Sequence, residues 1–192
     1  MSEVSPPLNA ASVAGRLAEQ LELRGEEYAV GGAIALGYWG APRGTIDVDL
    51  TLYLPPDHLY DCIRLLHNIG CECSAAEAVD SLRGHGFCRA TFAAVRVDVF
   101  LPTTAFYEAA RARRKRVQLA NRPMMIWDAE SLAVFKVMFF RRKDLADVEQ
   151  VLRTQGGQFD RVWVRERLAE MYGPRDPRLA AWDDLARDIP AA

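Results

Sequence analysis

Two aspartates one residue apart, Asp47 and Asp49, stand inside the apolar run Ile46-Asp-Val-Asp-Leu50. A strand turns alternate side chains to opposite faces. Thr45, Asp47, Asp49 and Thr51 therefore share one face, while Ile46, Val48 and Leu50 share the other and can bury. Two carboxylates held side by side on a rigid strand repel each other unless a cation sits between them. Hard oxygen ligands of this kind suit Mg²⁺, which takes one or two protein carboxylates together with substrate phosphates. Upstream, Tyr28-Ala-Val30 reads as a short strand running into Gly31-Gly32. A glycine turn lets backbone N–H groups approach a phosphate closely. Both halves of a nucleotide–metal site thus lie in one short segment.

A third carboxylate follows in Val95-Arg-Val-Asp-Val-Phe-Leu101. Val95, Val97, Val99 and Leu101 face one way; Arg96, Asp98 and Phe100 face the other. Aspartate is disfavoured in mid-strand, so Asp98 calls for a reason. One reading is an edge strand with Asp98 paired to Arg96 in solvent. The other joins Asp98 to Asp47 and Asp49 as an acidic cluster for one or two Mg²⁺ (or Mn²⁺) ions, the arrangement that two-metal phosphoryl or nucleotidyl transfer needs.

Lys136, Lys143 and Asp147 lie at offsets of seven and eleven. On one continuous helix they form a single stripe, and its lysines could reach a triphosphate as point charges. A solvated face with local Lys–Asp pairs is the alternative. The basic run Arg111–Arg116 lacks interleaved aromatics and reads better as a solvated helix end than as a track for RNA. Cys71-x-Cys73 has no second pair at zinc-finger spacing. Together with Cys62 and Cys88 it reads as reduced, partly buried thiols.

The pattern along the 192 residues is α/β (α+β): a small mixed sheet flanked by helices, then a helical last third. Helices are expected over Asn9–Arg24, Gly32–Trp39, Asp57–Ile69, Ala75–Leu82 and Thr103–Arg113. Strands are expected over Tyr28–Val30, Arg43–Leu54, Phe87–Ala93, Val95–Leu101, Val117–Leu119 and Met124–Trp127. From Asp128 the pattern is helical. The natural division is 1–127 as the α/β core and 128–192 as a helical part packed on it, the two expected to form one compact unit. The formal net charge of −2 excludes a polycationic nucleic-acid binder. No apolar run is long enough to span a bilayer, and Met1-Ser-Glu-Val-Ser-Pro-Pro7 has no signal-peptide pattern, so a cytoplasmic protein is expected.

Gly31-Gly32, Arg43-x-Thr45-x-Asp47-x-Asp49 and the later Asp98 resemble the signature of the nucleotidyltransferase superfamily with the DNA polymerase beta fold. The Gly-Gly form is closest to tRNA nucleotidyltransferases and bacterial toxin-type nucleotidyltransferases. Asp128-Ala-Glu-Ser-Leu-x-x-x-Lys136 and Arg142-Lys-Asp-Leu-Ala-Asp147 resemble the tail of small bacterial members. The resemblance covers about residues 28 to 155. It implies a metal-bound NTP, ATP among the candidates, lying on a small mixed sheet. Asp47, Asp49 and Asp98 would be the metal ligands, with Asp98 also a general base. Gly31 and Gly32 would hold the triphosphate, with Arg43 and Thr45 beside it. One departure stands out: the usual serine after the first glycine is Gly32 here. The expected activity moves a nucleoside monophosphate onto an acceptor hydroxyl of RNA, protein or a small molecule. The alternatives are a non-catalytic nucleotide- or partner-binding relative, or a subunit of a toxin–antitoxin pair with an antitoxin or a second copy as partner.

Overall fold

The computed structural model describes residues 8–119 and 121–190. It divides into two compact units, each assembled from separated stretches of chain.

The first unit takes the chain up to Val30, Thr45–Pro102 and Arg116–Met125. Its helix α1 (Ala10–Glu22) begins where the Asn9 side chain accepts a hydrogen bond from the Ser12 N–H at 2.8 Å, an N-cap that satisfies an otherwise orphaned donor. Val13, Leu17 and Leu21 form its fully buried stripe. Strands β1 (Tyr28–Val30), β2 (Asp47–Leu52), β3 (Phe87–Phe92), β4 (Val95–Phe100), β5 (Lys115–Leu119) and β6 (Arg122–Ile126) make a mixed six-stranded sheet. Its order is β3-β4-β2-β1-β6-β5. β2 runs antiparallel to β1 and parallel to β4, and β3 and β4 form an antiparallel hairpin. Helices α3 (Leu59–Asn68) and α4 (Ala75–His85) supply the connection from β2 to β3.

The aspartate strand is shorter than its sequence suggests. It begins at Asp47, not at Arg43, and Ile46 is 84% exposed instead of sharing the buried face with Val48 and Leu50. Thr45 lies before the strand, where its hydroxyl bonds to Asp47. The β3–β4 hairpin turns on Ala93 and Ala94, both in the left-handed region at φ 47° and 67°. A two-residue turn of that kind normally selects Asn-Gly, which is why no turn signal is visible there in the sequence.

The second unit takes Gly31–Gly44, Thr103–Lys115 and the chain from Ile126 onward. The division therefore does not fall at residue 128 alone: the glycine turn and its helix α2 (Gly32–Trp39), and helix α5 (Ala105–Arg113), go with the C-terminal helices. These are α6 (Ala129–Phe139), α7 (Arg142–Gln155), α8 (Arg161–Tyr172) and α9 (Pro177–Asp188). The core centres on Trp127, whose ring meets Phe135 edge-on at 4.4 Å and also packs against Phe106 and Tyr107. The Trp39 indole N–H donates to the Trp127 carbonyl at 2.7 Å, tying α2 to the start of α6. α2 passes so close to α7 that a Cβ on Gly40 would stand 3.3 Å from the Val151 nitrogen. Asp128 caps α6 by accepting from the Ser131 N–H at 3.0 Å.

One expectation fails here. Lys136 and Lys143 do not share a continuous helix. Phe140 takes a left-handed conformation at φ 54° and closes α6, and α7 starts afresh at Arg142. A left-handed residue ends a helix by turning the chain out of its axis. The single-stripe argument is lost with it. Among the described residues no helix is long and apolar enough to cross a membrane.

Candidate active site

The strand registers of the first unit build an acidic face on β2 and β4, with an arginine from β3 beside it. β2 and β4 pair Asp47 with Arg96 and Asp49 with Asp98, and β3 sets Arg89 against Asp98. Register partners point to the same face. Asp47 and Arg96 therefore form one row, and Asp49, Asp98 and Arg89 the next. β4 lies between β2 and β3, so the edge-strand reading of Asp98 is corrected: its side chain is only 16% exposed. The pairing with Arg96 foreseen in that reading is present nonetheless, with Arg96 Nε 3.6 Å from Asp98 Oδ1.

Asp47 accepts from the Thr45 hydroxyl at 2.6 Å and forms an ion pair with Arg96. Asp98 Oδ1 is buried and accepts no hydrogen bond among the described residues. The guanidiniums of Arg89 and Arg96 stand 3.5 and 3.6 Å away, within ion-pair range but too far for a good hydrogen bond. Burial pushes the Asp98 carboxyl above the ordinary carboxylate range. Arg96 and Arg89 pull it down, Asp47 pushes it further up, and the net shift is upward.

These residues suit a hard divalent cation in kind and in register: three carboxylates on two adjacent strands, one with an oxygen that lacks a hydrogen-bond donor. They are not gathered into a cage. Among the described residues no three His, Cys, Asp or Glu side chains converge as a metal site, and Asp47 is turned toward Thr45 and Arg96.

The remaining candidates lie in the second unit. Gly31 is the N-cap residue of α2, and Gly32 opens the helix at φ 56°. Only glycine takes that left-handed value without strain, so a serine at position 32 would be disfavoured in this backbone. That accounts for the departure from the Gly-Ser form. Arg43 forks onto Asp147, with Nε–Oδ1 3.2 Å and Nη2–Oδ2 3.1 Å. Lys136, 5% exposed, donates to Asp147 at 2.8 Å and lies 3.6 Å from Asp144. Asp144 is fully buried and also accepts from Arg141 at 2.5 and 3.2 Å. Burial tends to raise the Asp147 pKa, but hydrogen bonds from Arg43 and Lys136 outweigh it and hold the carboxyl low. Lys136 is thus engaged in a buried ion-pair network, while Lys143 is exposed on the first turn of α7.

The basic run is largely occupied within each unit. Arg113 pairs with Asp128 at 2.6 Å and Glu130 at 2.9 Å and lies over the Trp163 ring, and Arg111 pairs with Glu108. In the first unit Arg116 pairs with Glu22. All four cysteines are free thiols, and burial pushes Cys62, Cys71 and Cys88 up to about 12.

Sequence reasoning singled out the three aspartates but missed the weight of Arg89 and the role of Asp144. The place of Arg89 opposite Asp98 follows from a two-residue turn at Ala93-Ala94 that carries no signal in the sequence.

No protein-family profile matches the chain, and no curated protein does. Solved structures do. A nucleotidyltransferase-like protein from Paracoccidioides brasiliensis, described as antigenic, superposes with a TM-score of 0.50 at 16% identity, over 89% of this chain and 92% of its own. The antibiotic-resistance factor ANT(2'')-Ia in solution gives 0.51 at 14% identity, over 93% and 97%. Its crystal structure with adenylyl-2''-tobramycin gives 0.51 at 13%, over 91% and 97%. The mixed sheet with flanking helices is the nucleotidyltransferase fold.

Proposed function

We propose that the protein is a metal-dependent nucleotidyltransferase that moves a nucleoside monophosphate from an NTP to an acceptor hydroxyl. The observation that carries this reading is the register Asp49↔Asp98 beside Asp47, which sets three carboxylates on one face of a sheet with the nucleotidyltransferase fold. A fold hosts many functions, so the site has to bear the weight. Support from outside the chain is coarser: one structure of similar fold holds adenylyl-2''-tobramycin, a nucleoside monophosphoryl group joined to a small molecule.

In this reading Asp47, Asp49 and Asp98 would hold one or two Mg²⁺ or Mn²⁺ ions, which would supply charge neutralisation for the transferring phosphoryl group. Asp98 accepts the proton of the acceptor hydroxyl as its oxygen bonds to the α-phosphorus and pyrophosphate leaves. Thr45 orients Asp47. In the helical unit, Gly31 and Gly32 stand at the α2 N-terminus, whose free N–H groups suit a phosphate oxygen. In the same unit Arg43 is held by Asp147 and Lys143 is exposed, two cations whose part in NTP binding single-site variants would test. Lys136 acts chiefly by holding Asp147 in place.

The test is incubation with each α-labelled NTP, Mg²⁺ and cell extract, followed by identification of what becomes labelled. Calorimetry accompanies it, with NTP binding expected in Mg²⁺ and lost in EDTA. Equal affinity in EDTA contradicts the metal-bridged site.

A further inference from the structure

We propose that Arg96 is the resident counter-cation of the carboxylate cluster: it holds Asp47 and Asp98 while no divalent ion is bound, and the ion displaces it. This rests on the metal-dependent reading above. The sheet register sets Arg96 directly beside Asp47 on the neighbouring strand. Strand alternation sets it on the same face as Asp98, two residues on. Both relations appear in the contacts. Arg96 Nη2 pairs with Asp47 Oδ2, and Arg96 Nε lies 3.6 Å from Asp98 Oδ1. One planar guanidinium, whose fork can reach two acceptors at once, thus spans two strands and touches two of the three carboxylates.

A divalent ion ligated by Asp47 and Asp98 needs those same oxygens, so the two occupants exclude each other. The competition favours the ion. Arg96 is 46% exposed at its side chain, and an ion pair that open to water contributes little. Its long stem lets the head swing into solvent while the methylenes stay on the sheet. The ion brings twice the charge and direct ligation. Arg89 is not an equivalent occupant: its side chain is 68% exposed, its ion-pair contact on this face is to Asp98, and its register partner is Asp98, not Asp47. The device has a reason in the apo protein. Asp49 and Asp98 stand directly opposite, and like charges so placed destabilise a sheet. Arg96 offsets that repulsion until a metal does.

The experiment uses the full chain, with Mn²⁺ binding measured by titration for the wild type, Arg96→Gln and Arg96→Lys. It is paired with the ¹⁵N side-chain spectrum of the arginines during Mg²⁺ titration. The signal absent from the Arg96→Gln spectrum identifies Arg96 Nε. Expected are roughly fivefold or tighter Mn²⁺ binding by Arg96→Gln, a smaller gain for Arg96→Lys, and a shift of the Arg96 Nε signal that saturates with Mg²⁺ and is not produced by KCl at matched ionic strength. Mn²⁺ affinity in Arg96→Gln no tighter than in the wild type overturns the proposal and leaves the metal reading standing. Tightening with an unmoved Nε signal points to a remote field effect and overturns displacement. Absence of Mn²⁺ binding in both proteins overturns the metal reading and this proposal with it.

Discussion

Aspartate is handled in opposite ways by the two units. In the helical unit Asp144 and Asp147 are buried, and each is ligated by two cations: Arg141 and Lys136 for one, Arg43 and Lys136 for the other. In the sheet unit Asp47, Asp49 and Asp98 share a partly open strand face, and Asp98 Oδ1 accepts no hydrogen bond among the described residues. The protonation shifts follow suit, downward for Asp147 and upward for Asp98. Carboxylates that are saturated with partners hold helices together. Carboxylates on a rigid, partly open strand face, paired only with exposed arginines, can exchange those partners for something that arrives.

Breaking the saturated network is expected to have the largest effect on stability. Lys136→Met removes the partner that two buried carboxylates share, leaving Asp144 to Arg141 and Asp147 to Arg43; the expected loss is about 3 kcal/mol, the low end for breaking a buried pair. Denaturant unfolding measures it, and a loss below about 1 kcal/mol would erase the contrast between the units.

The acidic face should behave in the opposite sense. Asp49→Asn removes a like charge facing Asp98. The apo protein should be unchanged or steadier by about 0.5 kcal/mol, with divalent-ion binding lost. Asp47→Asn differs, because Asp47 already has Thr45 and Arg96; a small destabilisation of about 0–1 kcal/mol is expected.

The pH dependence sharpens the comparison through its sign. Asp147 has a lowered pKa in the fold, so its contribution is present above the usual carboxylate range and lost as pH falls through the lowered value. Asp98 has a raised pKa, so its contribution is full below about pH 4 and lost as pH rises through the raised value. Melts of the apo protein from about pH 3 to 7 should show Asp147→Asn blunting the acid-side loss. Asp98→Asn should remove the decline above about pH 4. The same slope in both variants would contradict the assignment.

The smallest effect belongs to Lys143. It is exposed, and Lys143→Ala should leave stability within about 0.5 kcal/mol of wild type. A larger loss would mean that its charge belongs to the buried network after all.

The sheet unit was the more legible in the sequence. Strict alternation along Val95–Phe100 and the Asp47–Asp49 spacing depend only on the two-residue period of a strand, so they survive folding unchanged. The residues that fill the gaps between those carboxylates depend on register, which the Ala93-Ala94 turn fixes without advertising itself. In the helical unit the spacing put Lys136 and Asp147 on one stripe of a continuous helix; the structure has no such stripe, yet the two side chains meet. Phe140 breaks the helix, and packing of α6 against α7 brings the pair together instead. Nothing in the local sequence marks Phe140 as the left-handed residue that closes the helix. The exposed Ile46 is the same lesson in reverse: an apolar residue next to a strand need not belong to its buried face.

The most direct test pairs two readings on Asp98→Asn: the melting temperature of the metal-free protein, and label transfer from an α-labelled NTP in Mg²⁺ to the acceptor found with the wild type. A carboxylate held ready for chemistry gives a melting temperature at or above wild type at neutral pH and transfer reduced to background. A marked fall in melting temperature, or transfer at the wild-type rate, would contradict the assignment of this face as the catalytic one.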